Sequence, residues 1–460
     1  MALTLPPHPD PLAGRIHRDG LLHDLSYAFG GPFHYLLPER FDANLAAFRA
    51  ALAEAGVEGR VYYAKKANKA AVFAERCAGT GAGVDVASHG ELREALGHGV
   101  RGEDLVVTGP AKADRLLRTA ALQGSLIAVD SPDELERVLE LDAPRPVRVL
   151  LRRHPPAQPR SRFGLDGEQL DAALLRCAAA GDRLRMEGFS FHLSGYEVRP
   201  RADLAGELVD LCRRARALGL RADRISIGGG FAVDYTAAGH WAAFLAEQGP
   251  GHYHADRSFT PGDFYPYHSP VAGADALRAV LAARPGGAGA TLAERLREAG
   301  VALLLEPGRA LLDRAGSSVF RVQGVKDRAG YGIVTVDGTS LSLSEQWFNS
   351  EYLPDPALLP AEPADGESPA GPTGPPTADD GPYRACVGGA SCLDSDLLSW
   401  RKIAFPRRPR IGDLLVYPNT AGYQMDSNES PFHDLPLPPK VVLHGRGGRL
   451  RWRLDQRPAV

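Results

Sequence analysis

Lysine is scarce in this chain, and its distribution indicates where chemistry is possible. The sequence contains seven lysines, and three of them lie within five residues in the run YYAKKANK, at 65, 66 and 69. Nearly all other positive charge is carried by arginine. An arginine guanidinium cannot form an imine with a carbonyl group, whereas a lysine amine can. A lysine kept where arginine is the default therefore suggests covalent catalysis by an amine.

The elements that would position such a lysine alternate along the chain. Short β-rich runs and amphipathic helical patterns follow one another from about residue 60 to 310, and Ser131-Pro132 predicts a helix N-terminus. Eight strand–helix units over about 250 residues predict a closed (β/α)8 barrel rather than a doubly wound sheet. The strands are predicted at 61–66, 83–88, 104–109, 126–130, 147–152, 186–194, 224–230 and 301–308.

The carboxyl ends of the predicted strands carry a coherent set of groups, and active sites of such barrels lie at these ends. An imine-forming amine, a ring-stacking histidine, a glycine turn for a phosphate, an acid and a cation are what pyridoxal 5′-phosphate (PLP) requires. Each group alone has an ordinary structural explanation. The lysine suits a solvated surface, the glycines a tight turn, the histidine a hydrogen-bonded core and the EPGR segment a salt bridge. The PLP hypothesis therefore depends on all of these groups occurring together. The residues are Lys65-Lys66-Ala67-Asn68, Asp85, Ser88 and His89, His192, Gly228-Gly229-Gly230 and Glu306-Pro307-Gly308-Arg309.

The sequence resembles the fold-type III PLP-dependent decarboxylases, the group of ornithine, arginine and diaminopimelate decarboxylases. Motifs similar to those of the family occur in order from about residue 30 to 440: YYAKKAN, VDVASHGEL, SRFGL, GFSFHLSG, SIGGGF, EPGR, GGASCLDSD and AGY. The resemblance implies an alanine racemase-like α/β barrel followed by an antiparallel β-barrel or sandwich domain. We expect the barrel at 34–310, and the β domain at 1–33 plus 311–460. A homodimer with shared active sites is also implied.

The resemblance assigns roles to single residues. Lys66 is the lysine that binds PLP covalently, His192 stacks on its ring, and Cys392, acting across the dimer interface, protonates the substrate Cα. Asp337, Leu393 and Asp394 are expected to face the substrate. The residues expected to hold the cofactor are Lys66, Asp85, His192, Ser194, Gly229, Gly230, Glu306, Gly308, Arg309 and Tyr423.

Two departures from the family pattern bear on specificity. Leu393 follows the motif cysteine where the family has an acid that reads the distal end of the substrate, and Ser194-Gly195 reverses the usual Gly-Ser pair. A leucine cannot compensate the lost hydration of an ammonium group. We therefore expect an amino-acid substrate that is not a simple diamino acid, unless Asp337 or Asp394 replaces the missing acid. The CLxxD and NTAGYxM variants resemble decarboxylases of siderophore and specialised-metabolite pathways.

Two other functions fit part of the pattern. A PLP-dependent racemase or epimerase shares the architecture, but alanine-type racemases pair the ring nitrogen with arginine, and Glu306 occupies that turn here. A non-catalytic PLP-binding homologue tends to lose the lysine or the cysteine, whereas this chain keeps Lys66 and Cys392. Both observations favour the decarboxylase.

Composition limits the remaining classes of function. With 53 basic and 56 acidic residues, the net charge of −3 does not suit a general nucleic-acid binder. No apolar run is long enough to span a bilayer, and five scattered cysteines without a CxxC pair indicate a reducing cytoplasm and no metal site. The stretch 362–382 is predicted to be a disordered loop. The aromatic insert 247–270 is expected to pack at the rim of a site.

Overall fold

The computed structural model describes residues 3–345, 348, 350–361, 382–446 and 449–456. Residues 362–381, nearly all of the predicted disordered loop, lie outside this set. The described residues form two compact units. The barrel unit comprises Phe41–Ala232 and Val271–Leu311, and the β unit comprises residues 3–40, Val233–Pro270 and Leu312–Asp455.

Eight parallel strands close into the predicted barrel, so this prediction is confirmed. Their apolar side chains are buried on both faces, as expected of strands enclosed by helices. A short strand of the β unit, β1 (Phe33–Leu36), precedes them. The barrel strands are β2 (Gly59–Ala64), β3 (Gly83–Val86), β4 (Leu105–Val107), β5 (Leu126–Val129), β6 (Val147–Arg152), β7 (Leu184–Ser190), β8 (Arg224–Ser226) and β9 (Ala302–Leu305).

Several strands end earlier than the sequence predicts. β8 ends at Ser226 instead of residue 230, because Gly228 and Gly230 adopt left-handed φ angles of 66° and 76° that break the extended conformation. β7 likewise ends at Ser190, before His192. The motif residues therefore occupy the loops that follow the strands.

One helix begins at the signal that the sequence predicts. Ser131 caps the helix at Pro132 by accepting a hydrogen bond from the backbone N–H of Glu134, as predicted. No helix in the described part of the chain is long and apolar enough to cross a membrane. The helices are α1 (Pro11–Arg18), α2 (Leu21–Phe29), α3 (Pro38–Glu54), α4 (Ala71–Thr80), α5 (His89–Gly97), α6 (Asp114–Gln123), α7 (Pro132–Leu139), α8 (Gly167–Ala179), α9 (Val198–Ala217), α10 (Ala238–Glu247), α11 (Gly273–Ala282) and α12 (Leu292–Ala299).

The β unit is built on a sheet in which most neighbouring strands are antiparallel. β1 pairs with β10 antiparallel and with β16 parallel, so the N-terminal segment joins this sheet. β11 and β13 also pair in parallel, which makes the sheet mixed. The further strands are β10 (Gly316–Arg328), β11 (Tyr331–Val336), β12 (Ala357–Leu359), β13 (Tyr383–Gly388), β14 (Leu397–Phe405), β15 (Leu414–Tyr417), β16 (Lys440–Arg446) and β17 (Arg449–Leu454).

The segment Val233–Pro270 groups with the β unit, whereas the expected boundary at 310 assigned it to the barrel. Its aromatic side chains explain the difference. The rings of Tyr235, Tyr265, Tyr267 and Tyr352 form edge-to-face pairs with centroids 5.3 to 5.9 Å apart. Such pairs add to the apolar area that the rings bury. The aromatic insert is thus part of the β unit's core.

Candidate active site

The carboxyl ends of the barrel strands bring six of the predicted residues to one rim. Lys66 follows β2, Asp85 lies in β3, and His192 follows β7. Gly229 and Gly230 follow β8, and Glu306 follows β9. Because parallel strands of a closed barrel all end on the same face, these loops surround one opening.

Lys66 and Lys65 are adjacent in the sequence but differ in their surroundings. The Lys66 side chain is 44% exposed, and its Nζ lies 4.0 Å from Asp85 Oδ2. Lys65 is buried, and its Nζ forms an ion pair of 2.7 Å with Glu94 Oε2. An amine in such a buried pair is committed to a structural contact. Of the two, Lys66 is the amine that a ligand at the rim can reach.

Glu306 is a buried carboxyl group placed to bind a cation. Its Oε1 accepts a hydrogen bond of 2.6 Å from Ser226 Oγ. Burial, with a second contribution from the negative charge of Asp85, raises the pKa of Glu306 to about 7. Asp85 in turn accepts a 2.6 Å bond from Thr108 Oγ1. A positive group beside Glu306 would favour its ionised form.

His192 is half-buried and lies against the glycine loop. Burial, together with the positive charge of Lys66, holds the pKa of His192 well below 6.5, so the imidazole is neutral. A Cβ added at Gly228 would lie 2.7 Å from His192 Nδ1, and one at Gly229 would lie 2.7 Å from the Glu306 carbonyl oxygen. Only glycine lets the backbone approach this closely.

Two more residues predicted to bind the cofactor, Ser194 and Arg309, also follow barrel strands. Ser194 is exposed, and its backbone N–H and C=O both bond the side-chain amide of Gln158. Arg309 is buried and begins a short 3-10 helix directly after Gly308.

The remaining predicted residues belong to the β unit. Cys392 is exposed, and its Sγ lies 3.1 Å from His433 Nε2. The next residue, Leu393, is 50% exposed, and the exposed Asp394 follows it. Asp396 holds this loop by accepting hydrogen bonds from the backbone N–H groups of Ser340 and Ser391.

Asp337 lies close to the same loop. The backbone N–H of Ala390 donates to the carbonyl of Gly338, which joins the turn after β11 to the cysteine loop. Asp337 accepts a 2.9 Å bond from the Arg321 backbone N–H, and burial raises its pKa to about 6. Tyr423 is half-buried and has a left-handed φ of 79°.

Comparison with known proteins identifies the family. A model of the pyridoxal-dependent decarboxylase family, pyridoxal binding domain, matches residues 39–248. A diaminopimelate decarboxylase of Actinosynnema pretiosum subsp. auranticum is 29% identical over 97% of this chain and 92% of its own length. The chain belongs to the fold-type III PLP-dependent decarboxylases. It is therefore a carboxy-lyase that uses PLP.

Two further proteins are similar over nearly the whole chain. The uncharacterized protein y4yA of Sinorhizobium fredii is 40% identical over 93% of this chain and 91% of its own length. A crystal structure of M. jannaschii diaminopimelate decarboxylase with L-lysine superposes with a TM-score of 0.71 at 19% identity, covering 95% of this chain and 91% of that one. At that identity the superposition supports the fold alone.

The rim residues of this decarboxylase fit the cofactor. The glycine loop brings bare backbone so close to His192, the Glu306 carbonyl and Arg201 that no side chain fits, and a backbone turn of this kind can bind a phosphate through its N–H groups. The carboxyl of Glu306, which burial disfavours as an ion, suits a protonated ring nitrogen. A neutral imidazole at His192 suits an apolar ring face.

Sequence reasoning missed three residues of the barrel unit and one of the β unit. Ser226 binds Glu306, and Arg152 contacts Asp130 at 3.0 Å and lies over the Phe163 ring. Arg201 is the third residue of the barrel unit, and in the β unit His433 lies beside Cys392. Ser226 and Arg152 lie in predicted strands, which was a usable signal, but their partners are distant in sequence.

Proposed function

We propose that this decarboxylase acts on an α-amino acid whose side chain does not end in an ammonium group, releasing CO2 and the corresponding amine. The observation that supports this substrate class is Leu393, half exposed on the cysteine loop where the family pattern has an acid. Neutral, acidic or bulky side chains can lie against a leucine without leaving a charge unpaired.

Each barrel residue of the site has a separate role in the proposed reaction. Lys66 would hold the cofactor through its amine until a substrate amine takes its place. PLP, when bound, supplies an electron sink for the pair left on Cα as CO2 departs. Glu306 would keep the ring nitrogen protonated, because an adjacent carboxylate favours the positive form. His192 would contact the ring as a neutral imidazole and so would add no charge beside it.

The phosphate is assigned to the glycine loop. Gly229 and Gly230 would hold it through backbone N–H groups, since successive N–H groups in such turns form an anion-binding concavity. In the structure the N–H of Gly229 donates to His192 Nδ1 at 3.5 Å. The resemblance to the family assigns Ser194, Gly308, Arg309 and Tyr423 to the same phosphate. Asp85 supports the site from β3, where it is 4.0 Å from the Lys66 amine.

Cys392 is proposed to return a proton to Cα across a homodimer interface. Its Sγ lies within hydrogen-bond distance of His433 Nε2, so after each turnover the thiolate can regain a proton that this imidazole first takes up from solvent. Mixing Lys66→Ala chains with Cys392→Ala chains should restore activity through hybrid sites. Mixtures that exchange subunits but stay inactive would contradict shared sites.

The substrate class is tested by comparing kcat/KM across amino acids. We expect L-ornithine, L-lysine and meso-diaminopimelate to be poor substrates beside amino acids with neutral, acidic or bulky side chains. Leu393→Asp should improve the diamino acids selectively, because it restores an acid to the loop. Leu437→Asp is the matched control, since Leu437 is a similarly exposed leucine of the same unit, at 43%. Efficient turnover of ornithine by the natural chain would refute the substrate class.

A further inference from the structure

A buried arginine without a carboxylate partner lies beside the glycine loop. Arg201, in α9, is 2% exposed. Its Nη1 donates to the carbonyl of Ile227 at 3.1 Å, and its Nη2 donates to the carbonyls of Gly195 and Gly230, both at 3.2 Å. No carboxylate among the described residues forms an ion pair with it. Burial lowers the pKa of Arg201 to about 10.

Such a charge is unusual, because buried charges in proteins are normally paired. The barrel unit shows the ordinary arrangement elsewhere, since Arg148 is largely buried and binds both oxygens of Glu187. Backbone carbonyls satisfy the donors of Arg201 but do not neutralise its charge. The position therefore suits a site that receives an anion.

The three carbonyls determine how the loops present their N–H groups. A trans peptide is planar, so fixing a carbonyl also fixes the N–H of the following residue on the opposite side. Arg201 thereby fixes the two peptide groups that flank Gly229 and Gly230, those with the N–H of Gly228 and of Phe231, and also the peptide with the N–H of Tyr196. The contact is close, since a Cβ added at Gly230 would lie 2.4 Å from Arg201 Nη2.

Gly195 adds a second, independent indication. It occupies the position where the family pattern has a serine, so the hydroxyl that would contact the phosphate is absent. Its φ is 94°, and no neighbour lies within 4 Å of a Cβ built on it. The carbonyl of Gly195 is instead one of the three that Arg201 binds.

We propose that Arg201 is a positioning residue for the cofactor phosphate: it orients the glycine loop and the Ser194-Gly195 turn, and its charge balances the phosphate where the serine is absent. This inference rests on the proposed placement of the phosphate at Gly229 and Gly230. It does not depend on the identity of the amino-acid substrate.

The test compares PLP with pyridoxal, which lacks the phosphate, by equilibrium binding to the full-length apoprotein. Wild-type protein should bind PLP more tightly than pyridoxal. Arg201→Met should weaken PLP binding by about tenfold or more, the loss expected for a charge-assisted contact, and should change pyridoxal binding little. Arg201→Lys should also weaken PLP binding, because one ammonium cannot reach three separate carbonyls.

Controls separate this role from a structural one. Arg148→Met removes another largely buried arginine, whose partner Glu187 keeps contacts with Arg185 and Arg224, and it should leave the ratio of the two affinities unchanged. The inference would be overturned if Arg201→Met lost the same factor of affinity for pyridoxal as for PLP. It would also be overturned if Arg201→Lys bound PLP as tightly as the wild-type protein does. A wild-type protein that does not prefer PLP over pyridoxal would instead refute the proposed phosphate site itself.

Discussion

Replacing Glu306 by glutamine tests the electrostatics of the site in the apoprotein. The carboxyl is buried and accepts a hydrogen bond from Ser226. Glutamine has nearly the same shape and can still accept that bond, but it cannot ionise. The substitution therefore removes the cost of a buried negative charge and leaves the packing almost unchanged.

The size of the effect follows from the pKa of Glu306. In the unfolded chain the pKa has its ordinary value of 4.5, and in the folded protein it is raised to about 7. Below pH 4.5 the carboxyl is neutral in both states and costs nothing. Between pH 4.5 and 7 only the unfolded state loses its proton, so the folded state is progressively disfavoured. The full loss corresponds to about 3 kcal/mol above pH 7.

Urea unfolding of apoprotein from pH 5 to 8 measures this loss. The stability of the wild-type protein relative to Glu306→Gln should fall by about 3 kcal/mol across the range. Glu168→Gln, at an exposed position of α8, should show no such trend. Adding PLP should reduce the pH-dependent stability difference between the wild-type protein and Glu306→Gln, because a protonated ring nitrogen compensates the carboxylate. A wild-type minus Glu306→Gln difference that stays constant from pH 5 to 8 would refute the reasoning.

Further predictions concern single side chains. Borohydride reduction and peptide mapping should place the cofactor on Lys66. Lys65→Ala should retain the visible absorbance of bound cofactor but lose about 3 kcal/mol of stability, because it breaks a buried ion pair. Cys392 should be alkylated faster than the other four cysteines, which are buried, and His433→Ala should slow its alkylation. Gly228→Ala should weaken PLP binding, since its left-handed φ and the neighbouring imidazole exclude a Cβ.

Much of the barrel could be predicted from the sequence because its signals are local. Alternating strands and amphipathic helices specify the eight units, and the site residues follow from the rule that strand ends converge. The choice between Lys65 and Lys66 required the resemblance to a family. The structure supplies a physical reason for the same choice in the buried pair of Lys65 with Glu94.

Other features could not be predicted because they depend on contacts between distant residues. Arg201 binds carbonyls up to 29 positions away, and His433 reaches Cys392 across 41 positions. The parallel pairing of β1 with β16 joins the two ends of the chain, and no periodicity within either strand indicates its partner. The grouping of the aromatic insert with the β unit is of the same kind, because its Tyr267 ring packs against Tyr352, far along the chain.

The two units differ in how well their site residues tolerate substitution. In the barrel unit, Gly228 and Gly229 tolerate no side chain, and Glu306 is buried with a fixed partner, so these positions are constrained by packing as well as by chemistry. In the β unit, Leu393 is half exposed on a loop that Asp396 holds through backbone contacts. A side chain at 393 can therefore change without disturbing the loop that carries Cys392. On our proposal that residue 393 contacts the substrate, a substitution there would change the substrate preference and leave the barrel residues assigned to the cofactor unaltered.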